Sequence, residues 1–197
     1  MFIQVIQGPC TRQDELRALA QSWRTEVGSE GPGWLGGTFG FTDDDQFIGV
    51  VRFDSRDAAM ANSNRPEQTA WAEKMMALMD GPTEFHDCDD VTVFLDGGSD
   101  DAGFVQVIRG KVDDRDRVKA MLADTDDLRR MRPEIIGGTL AFEDDGTYTQ
   151  TVAFTDEASA RAGEQTEPPA EMRQALEELM QGATFYDLHD PWFESPS

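Results

Sequence analysis

Polar and apolar side chains alternate at the start of the chain. Over residues 2–7, Ile3 and Val5 fall on one side and Gln4 and Ile6 on the other, which predicts a β-strand. The period then lengthens. Leu16, Leu19, Ala20, Trp23 and Val27 form one apolar stripe at helical spacing. Thr11-Arg12-Gln13-Asp14 reads as a helix N-cap with an acidic residue three positions on, and Gly28, Gly31, Pro32 and Gly33 stop the helix. Two strands near 35–41 and 47–53 flank an acidic turn at 42–46. A short helix over 55–62 and a loop at Asn64 and Arg65 lead to a longer helix over 66–80, with Trp71, Met75, Leu78 and Met79 on its packing stripe. A strand at 83–87 and a further apolar run at 91–95 complete this half.

The pattern then repeats. FIQVIQG at 2–8 returns as FVQVIRG at 104–110, GGTFGF at 36–41 as GGTLAF at 137–142, and Met79 and Gly81 as Met180 and Gly182. Matched positions lie 101 or 102 residues apart (Gly36 to Gly137, Phe2 to Phe104), the length of a small domain rather than of a solenoid unit. The second copy predicts a strand at 104–109, a helix carrying Val118, Met121, Leu122 and Leu128, strands at 136–142 and 147–154, helices over 157–163 and 169–181, and a strand at 184–188. Residues 1–95 and 104–197 are thus expected as two units, joined by a flexible, charged linker at 96–103.

The order β-α-β-β-α-β is that of a ferredoxin-like unit, an α+β fold with helices on one face of its sheet. Strand 47–53 is apolar on both sides, with Phe47, Val51 and Phe53 alternating with Ile48 and Val50. Each such side chain gains about 1.5–3 kcal/mol on burial, so the second sheet face also needs cover. The expected arrangement is two tandem ferredoxin-like units packed sheet-to-sheet as a pseudo-dimeric α+β barrel.

Gly33-Trp34-Leu35-Gly36-Gly37, the acidic hairpin, the strand ending Val50-Val51-Arg52-Phe53 and the following Asp54-Ser55-Arg56-Asp57-Ala58-Ala59 resemble the antibiotic-biosynthesis-monooxygenase-like group of the dimeric α+β barrel superfamily. The resemblance covers residues 2–95 and, more weakly, 104–190. It implies a barrel of two ferredoxin-like units, here fused in tandem, with a ligand cavity inside a unit between sheet and helices. Activities in the superfamily are mixed: cofactor-free oxygenases of aromatic polyketides, haem-degrading enzymes, decarboxylating and cyclising enzymes. Fold alone does not choose among them.

Composition narrows the partners. With 39 acidic against 17 basic residues and a formal charge of −22, the deficit shared by both halves, no surface is equipped to neutralise phosphates, and nucleic acid is not an expected partner. No apolar run is long enough to span a bilayer and no charged-then-apolar leader opens the chain, so a cytoplasmic protein without a membrane contact is expected. Cys10 and Cys88 both lie in the first copy, which favours free thiols over a disulfide framework. In solution the chain is expected as a monomeric pseudo-dimer or a further homodimer.

Candidate chemistry concentrates between the two helices of the first copy. Asn62, Asn64, Arg65 and Gln68, with Trp71 beyond them, combine amide donors and acceptors, one cation and an indole, a set suited to a hydrophobic or aromatic ligand. The second copy has Gly163-Glu164-Gln165-Thr166-Glu167-Pro168-Pro169 there, which points to a pocket in the first copy only. Helix punctuation explains the same residues without a ligand, with Pro66 at a first turn and Trp71 in the core. Gln4 and Gln106 sit at matching mid-strand positions, where they either line a cavity or bond across the pseudo-twofold axis. His86 is the expected proton acceptor. It shares a strand face with Cys88 and Asp90, but three ligands on one strand rarely converge, so no metal is expected. No phosphate loop, nucleophile elbow or cofactor pattern occurs, and no cofactor is expected. The reading that follows is a small-molecule enzyme or binding protein, the enzyme being of the cofactor-independent monooxygenase-like type, with a pocket in the first copy. The alternative is a non-catalytic structural or protein-interaction module with a filled barrel.

Overall fold

The alternation at the N-terminus forms β1 (Phe2–Pro9), the strand around which the first sheet is assembled. The computed structural model describes residues 1–27, 31–122, 125–167, 173, 176, 177 and 179–196. Gly28, the Met121 side chain, Pro168 and most of the helix expected over 169–181 lie outside the described residues. After β1 come α1 (Gln13–Glu26), β2 (Trp34–Phe41), β3 (Gln46–Phe53), α2 (Arg56–Ser63), α3 (Pro66–Leu78) and β4 (Glu84–Cys88). The second copy gives β6 (Phe104–Lys111), α4 (Arg115–Leu122), α5 (Thr125–Met131), β7 (Ile135–Phe142), β8 (Thr147–Phe154), α6 (Glu157–Glu164) and β9 (Thr184–Leu188). Two further strands, β5 (Asp90–Phe94) and β10 (Trp192–Glu194), follow β4 and β9.

Both sheets are antiparallel and five-stranded, in the orders β10-β2-β3-β1-β4 and β5-β7-β8-β6-β9. Without the first strand of each list, the order is that of a ferredoxin-like unit. The fifth strand comes from an unexpected place. The apolar run at 91–95 forms β5 beside β7, and the C-terminal β10 pairs with β2, so the compact units are Met1–Asp89 with Trp192–Ser197, and Asp90–Pro191. The chain therefore passes between units at Asp89, ahead of the glycine-rich stretch that composition marks as a linker. That stretch is anchored at its start: Leu95–Gly97 is a 3-10 turn and Leu95 is buried.

Local chemistry explains the element ends. Each sheet has a register shift just before its glycine pair, between Trp34 and Gly36 and between Ile135 and Gly137, and Gly36 stands at φ 123°, a backbone open to glycine. The cap expected at Thr11 is not made. Helix α1 begins after Arg12 without a side-chain cap, because the Thr11 backbone N–H and hydroxyl both donate to Asp80 Oδ2, at 2.5 and 2.8 Å. These bonds hold the Asp80 carboxyl below its usual range. In contrast, Ser55 accepts from the Ala58 N–H and caps α2.

In the first unit Leu16, Ala20, Phe47, Met75, Met79 and Trp192 form a core against which Trp71 and Leu78 pack. Ile3, Val5, Ile48 and Val50, on the opposite face of the sheet, are also buried. Cys10 and Cys88 are buried thiols outside any disulfide, and burial pushes the Cys10 thiol up. No helix among the described residues is long and apolar enough to cross a membrane.

Candidate functional site

The buried side of α2 carries Ala59 and, one turn later, Asn62, an amide only 4% exposed. Asn62 is held from the loop that follows. Pro66 starts α3 at its first turn, leaving Arg65 extended at φ −76° and ψ 136°. From there Arg65 Nη1 donates to Val27 O at 3.0 Å and to Asn62 Oδ1 at 3.3 Å. Val27 is the C-cap of α1, so the guanidinium also meets the negative end of that helix. With Oδ1 turned to Arg65, the Asn62 amide nitrogen is the group presented to the interior, and it has no partner among the described residues.

Asn62 lines a cavity of about 70 Å³ between the first sheet and its helices. By the same measure one water needs about 10–15 Å³, so the space takes several waters or one small ring. Its sheet side is Ile6, Phe39, Phe47, Val51 and Phe53, while Leu16, Ala20 and Met75 come from helices. Three indoles complete the wall. Trp23 and Trp34 meet at 4.9 Å between ring centroids, and Trp71 Nε1 donates to Leu19 O at 3.2 Å. Trp23 Nε1 donates to Gln68 Oε1 at 2.6 Å, which fixes that amide with its nitrogen left over. Gln4 Nε2 donates to Asp87 Oδ1 at 2.9 Å, and Gln106 makes the same bond to Asp187 in the second sheet. The matched glutamines thus bond to the neighbouring strand of their own sheet, and Gln4 also lines the cavity. Glu194 reaches the same wall from β10.

Of the residues singled out by sequence, Asn62, Gln68 and Trp71 meet at this cavity. Arg65 stands behind Asn62 and does not line it. Asn64 is exposed at the C-cap of α2, away from the cavity. His86 is not brought there either. It pairs with Val5, while Gln4 and Ile6, the strand neighbours of Val5, line the cavity, so His86 occupies the other sheet face, with Nε2 3.4 Å from Glu84 Oε2. The strand period puts the expected proton acceptor on the wrong side of the sheet. Sequence reasoning missed Glu194, Trp23 and Trp34. The two indoles carry a signal, since aromatic residues closing α1 and opening β2 converge in this fold. Glu194 carries none, because its place depends on pairing with Gly37, 157 residues away in sequence. Among the described residues, no group of three or more His, Cys, Asp or Glu side chains is placed to hold a metal ion.

No family model and no curated protein matches the chain. Solved structures do. A monooxygenase-like protein from Lactobacillus acidophilus NCFM aligns over 98% of this chain and 99% of its own, with a TM-score of 0.69 at 10% identity. One from Fusobacterium nucleatum subsp. nucleatum aligns over 100% and 95%, at 0.70 and 9%. An anthrone oxidase-like protein aligns over 98% and 92%, at 0.69 and 10%. This chain has the fold of the monooxygenase-like proteins. At such identities the likeness is one of fold, and the site must be argued from its own residues.

Proposed function

We propose that the first unit is a small-molecule site of the monooxygenase-like kind, taking an aromatic ligand between Trp71, Trp34 and the sheet. The observation that carries this reading is Asn62: a buried amide, fixed by Arg65, whose nitrogen has no partner among the described residues and faces a cavity walled by aromatic rings. A ligand carbonyl or hydroxyl would accept from that nitrogen, a hydrogen bond worth about 0.5–1.5 kcal/mol. Gln68 and Gln4 supply further amide groups around the same space. An oxygenase-type reaction here has the substrate ring held by the indoles and its oxygen substituent polarised by Asn62. Arg65 acts through Asn62 as a positioning residue.

Thermal-shift screening of small aromatic compounds against the full chain tests the proposal. Hits are expected to raise the Tm of the wild type and to lose that effect in Asn62→Ala, whose own Tm changes little. Hits that stabilise Asn62→Ala equally would refute the assignment.

A further inference from the structure

Helices α2 and α3 place four hydrogen-bonding side chains on the cavity wall: Asn62, Ser63, Gln68 and Trp71. Two of them spend their donors on the main chain, Ser63 Oγ on Ala59 O at 3.0 Å and Trp71 Nε1 on Leu19 O at 3.2 Å. The two amides do the reverse. A guanidinium and an indole N–H can only donate, so the atoms that Arg65 and Trp23 bind must be amide oxygens. These are Asn62 Oδ1 at 3.3 Å and Gln68 Oε1 at 2.6 Å. Each amide is left with its nitrogen, which has no partner among the described residues. On the sheet side the polarity is opposite. Gln4 gives its nitrogen to the Asp87 carboxylate and keeps its oxygen, and Glu194 adds a carboxylate that has a partner of its own.

Trp23 gives Gln68 its direction. Gln68 is half-buried in the first turn of α3, and a glutamine loses about 1.5–2 kcal/mol of rotamer freedom when fixed. The indole that fixes it is itself packed on Trp34, and all three side chains line the cavity. Neither partner recurs in the second copy. At spacings of 101 and 102 residues, Trp23 is matched by Asp124 or Thr125, and Gln68 by Pro169 or Ala170. The pair belongs to the copy whose cavity it lines.

Resting on the small-molecule reading above, we infer that Gln68 is a second ligand-binding donor beside Asn62, positioned by Trp23. Together the two nitrogens select an aromatic ligand by an acceptor oxygen held at the junction of α2 and α3. A carbonyl oxygen has two lone pairs and no proton, so it suits this pair, whereas a group that only donates meets two further donors there.

Acetophenone and α-methylstyrene, which differ only in C=O against C=CH2, test this by titration calorimetry on the full chain. Gln68→Met keeps the side-chain length and the helix propensity and removes the donor. It is expected to weaken acetophenone binding about two- to tenfold and to leave α-methylstyrene binding unchanged. Trp23→Phe keeps an aromatic wall but releases Gln68, and is expected to lower the ratio of the two affinities in the same direction. A purely structural role for Trp23 would move both affinities together and leave that ratio as it is, which overturns the positioning role. Equal losses for both probes in Gln68→Met, or a protein that binds α-methylstyrene but not acetophenone, overturns the donor role of Gln68. Acetophenone binding that falls in Asn62→Ala but is untouched in Gln68→Met refutes this inference while the small-molecule site stands. If neither probe binds, both readings fall.

Discussion

Gly49 and Gln150 hold the same place in the two sheets: Gly49 lies between Ile6 and Phe39, Gln150 between Ile108 and Leu140. A Cβ on Gly49 would stand 3.1 Å from Phe39 Cδ1 and 3.2 Å from Phe47 Cζ, two rings of the cavity wall. The missing side chain therefore keeps the first unit open, where the second unit has a buried glutamine. Gly49→Ala is expected to change stability by less than about 1 kcal/mol, because relief of glycine's backbone entropy offsets the crowding of the rings. Gly49→Gln overfills the site, costs about 1–3 kcal/mol in urea unfolding and abolishes ligand-induced stabilisation. Ligand binding of wild-type strength in Gly49→Gln would contradict this.

Gln150 itself is 8% exposed and its Oε1 has no hydrogen-bond partner among the described residues. Gln150→Leu is expected to raise stability by about 1 kcal/mol, by removing an unpaired polar atom at nearly constant volume. A higher urea midpoint with an unchanged slope is the expected record.

Arg65 joins the end of α1 to Asn62. Arg65→Ala is expected to destabilise by about 1–3 kcal/mol, since it removes charge-assisted bonds to a helix terminus, and to weaken ligand binding through Asn62. Asn62→Ala separates the two effects: it weakens binding with the smaller loss of stability. Equal stability losses in both variants would deny Arg65 its part in holding α1.

Tyr148 is buried, and its hydroxyl donates to Leu179 O at 2.5 Å. Burial pushes its ionisation up to about 12, from an ordinary value of 10.0. Between those values the unfolded chain has released the phenolic proton while the folded chain keeps it. The stability due to this shift is therefore fully present below pH 10 and is lost as pH rises toward 12. Tyr148→Phe is expected to cost about 1 kcal/mol near neutrality through the lost bond to Leu179 O, and to flatten the alkaline decline. Urea midpoints measured from pH 8 to pH 12 for both proteins check the sign.

Much of the fold is legible because its determinants are local. The strand alternation at Ile3 and Val5, the stripe from Leu16 to Val27 and the repeated glycine pairs each act within a few residues. The fifth strands are not legible: nothing in Val91–Val93 or Trp192 says which sheet edge they will join, because pairing there is set by a partner far away in sequence. The site divides along the same line. Asn62, Gln68 and Trp71 sit on two neighbouring helices, so their convergence follows from helical period and one tight junction. His86 fails because one step in strand phase moves a side chain through the sheet. Arg65 reads as a ligand contact from composition alone, but the Val27 carbonyl at the end of α1 claims it first.

The central claim is that an aromatic small molecule occupies the cavity of the first unit. The four tryptophan indole N–H groups report on it directly, since Trp23, Trp34 and Trp71 line the cavity and Trp192 lies behind Phe39. Their signals in a nitrogen-15 correlation spectrum, assigned by single Trp→Phe variants, should be followed as acetophenone and α-methylstyrene are added in turn. The account predicts saturable shifts at Trp23, Trp34 and Trp71 that exceed the shift at Trp192. Indole signals that stay fixed while either probe binds, or a response confined to Trp192, would contradict it.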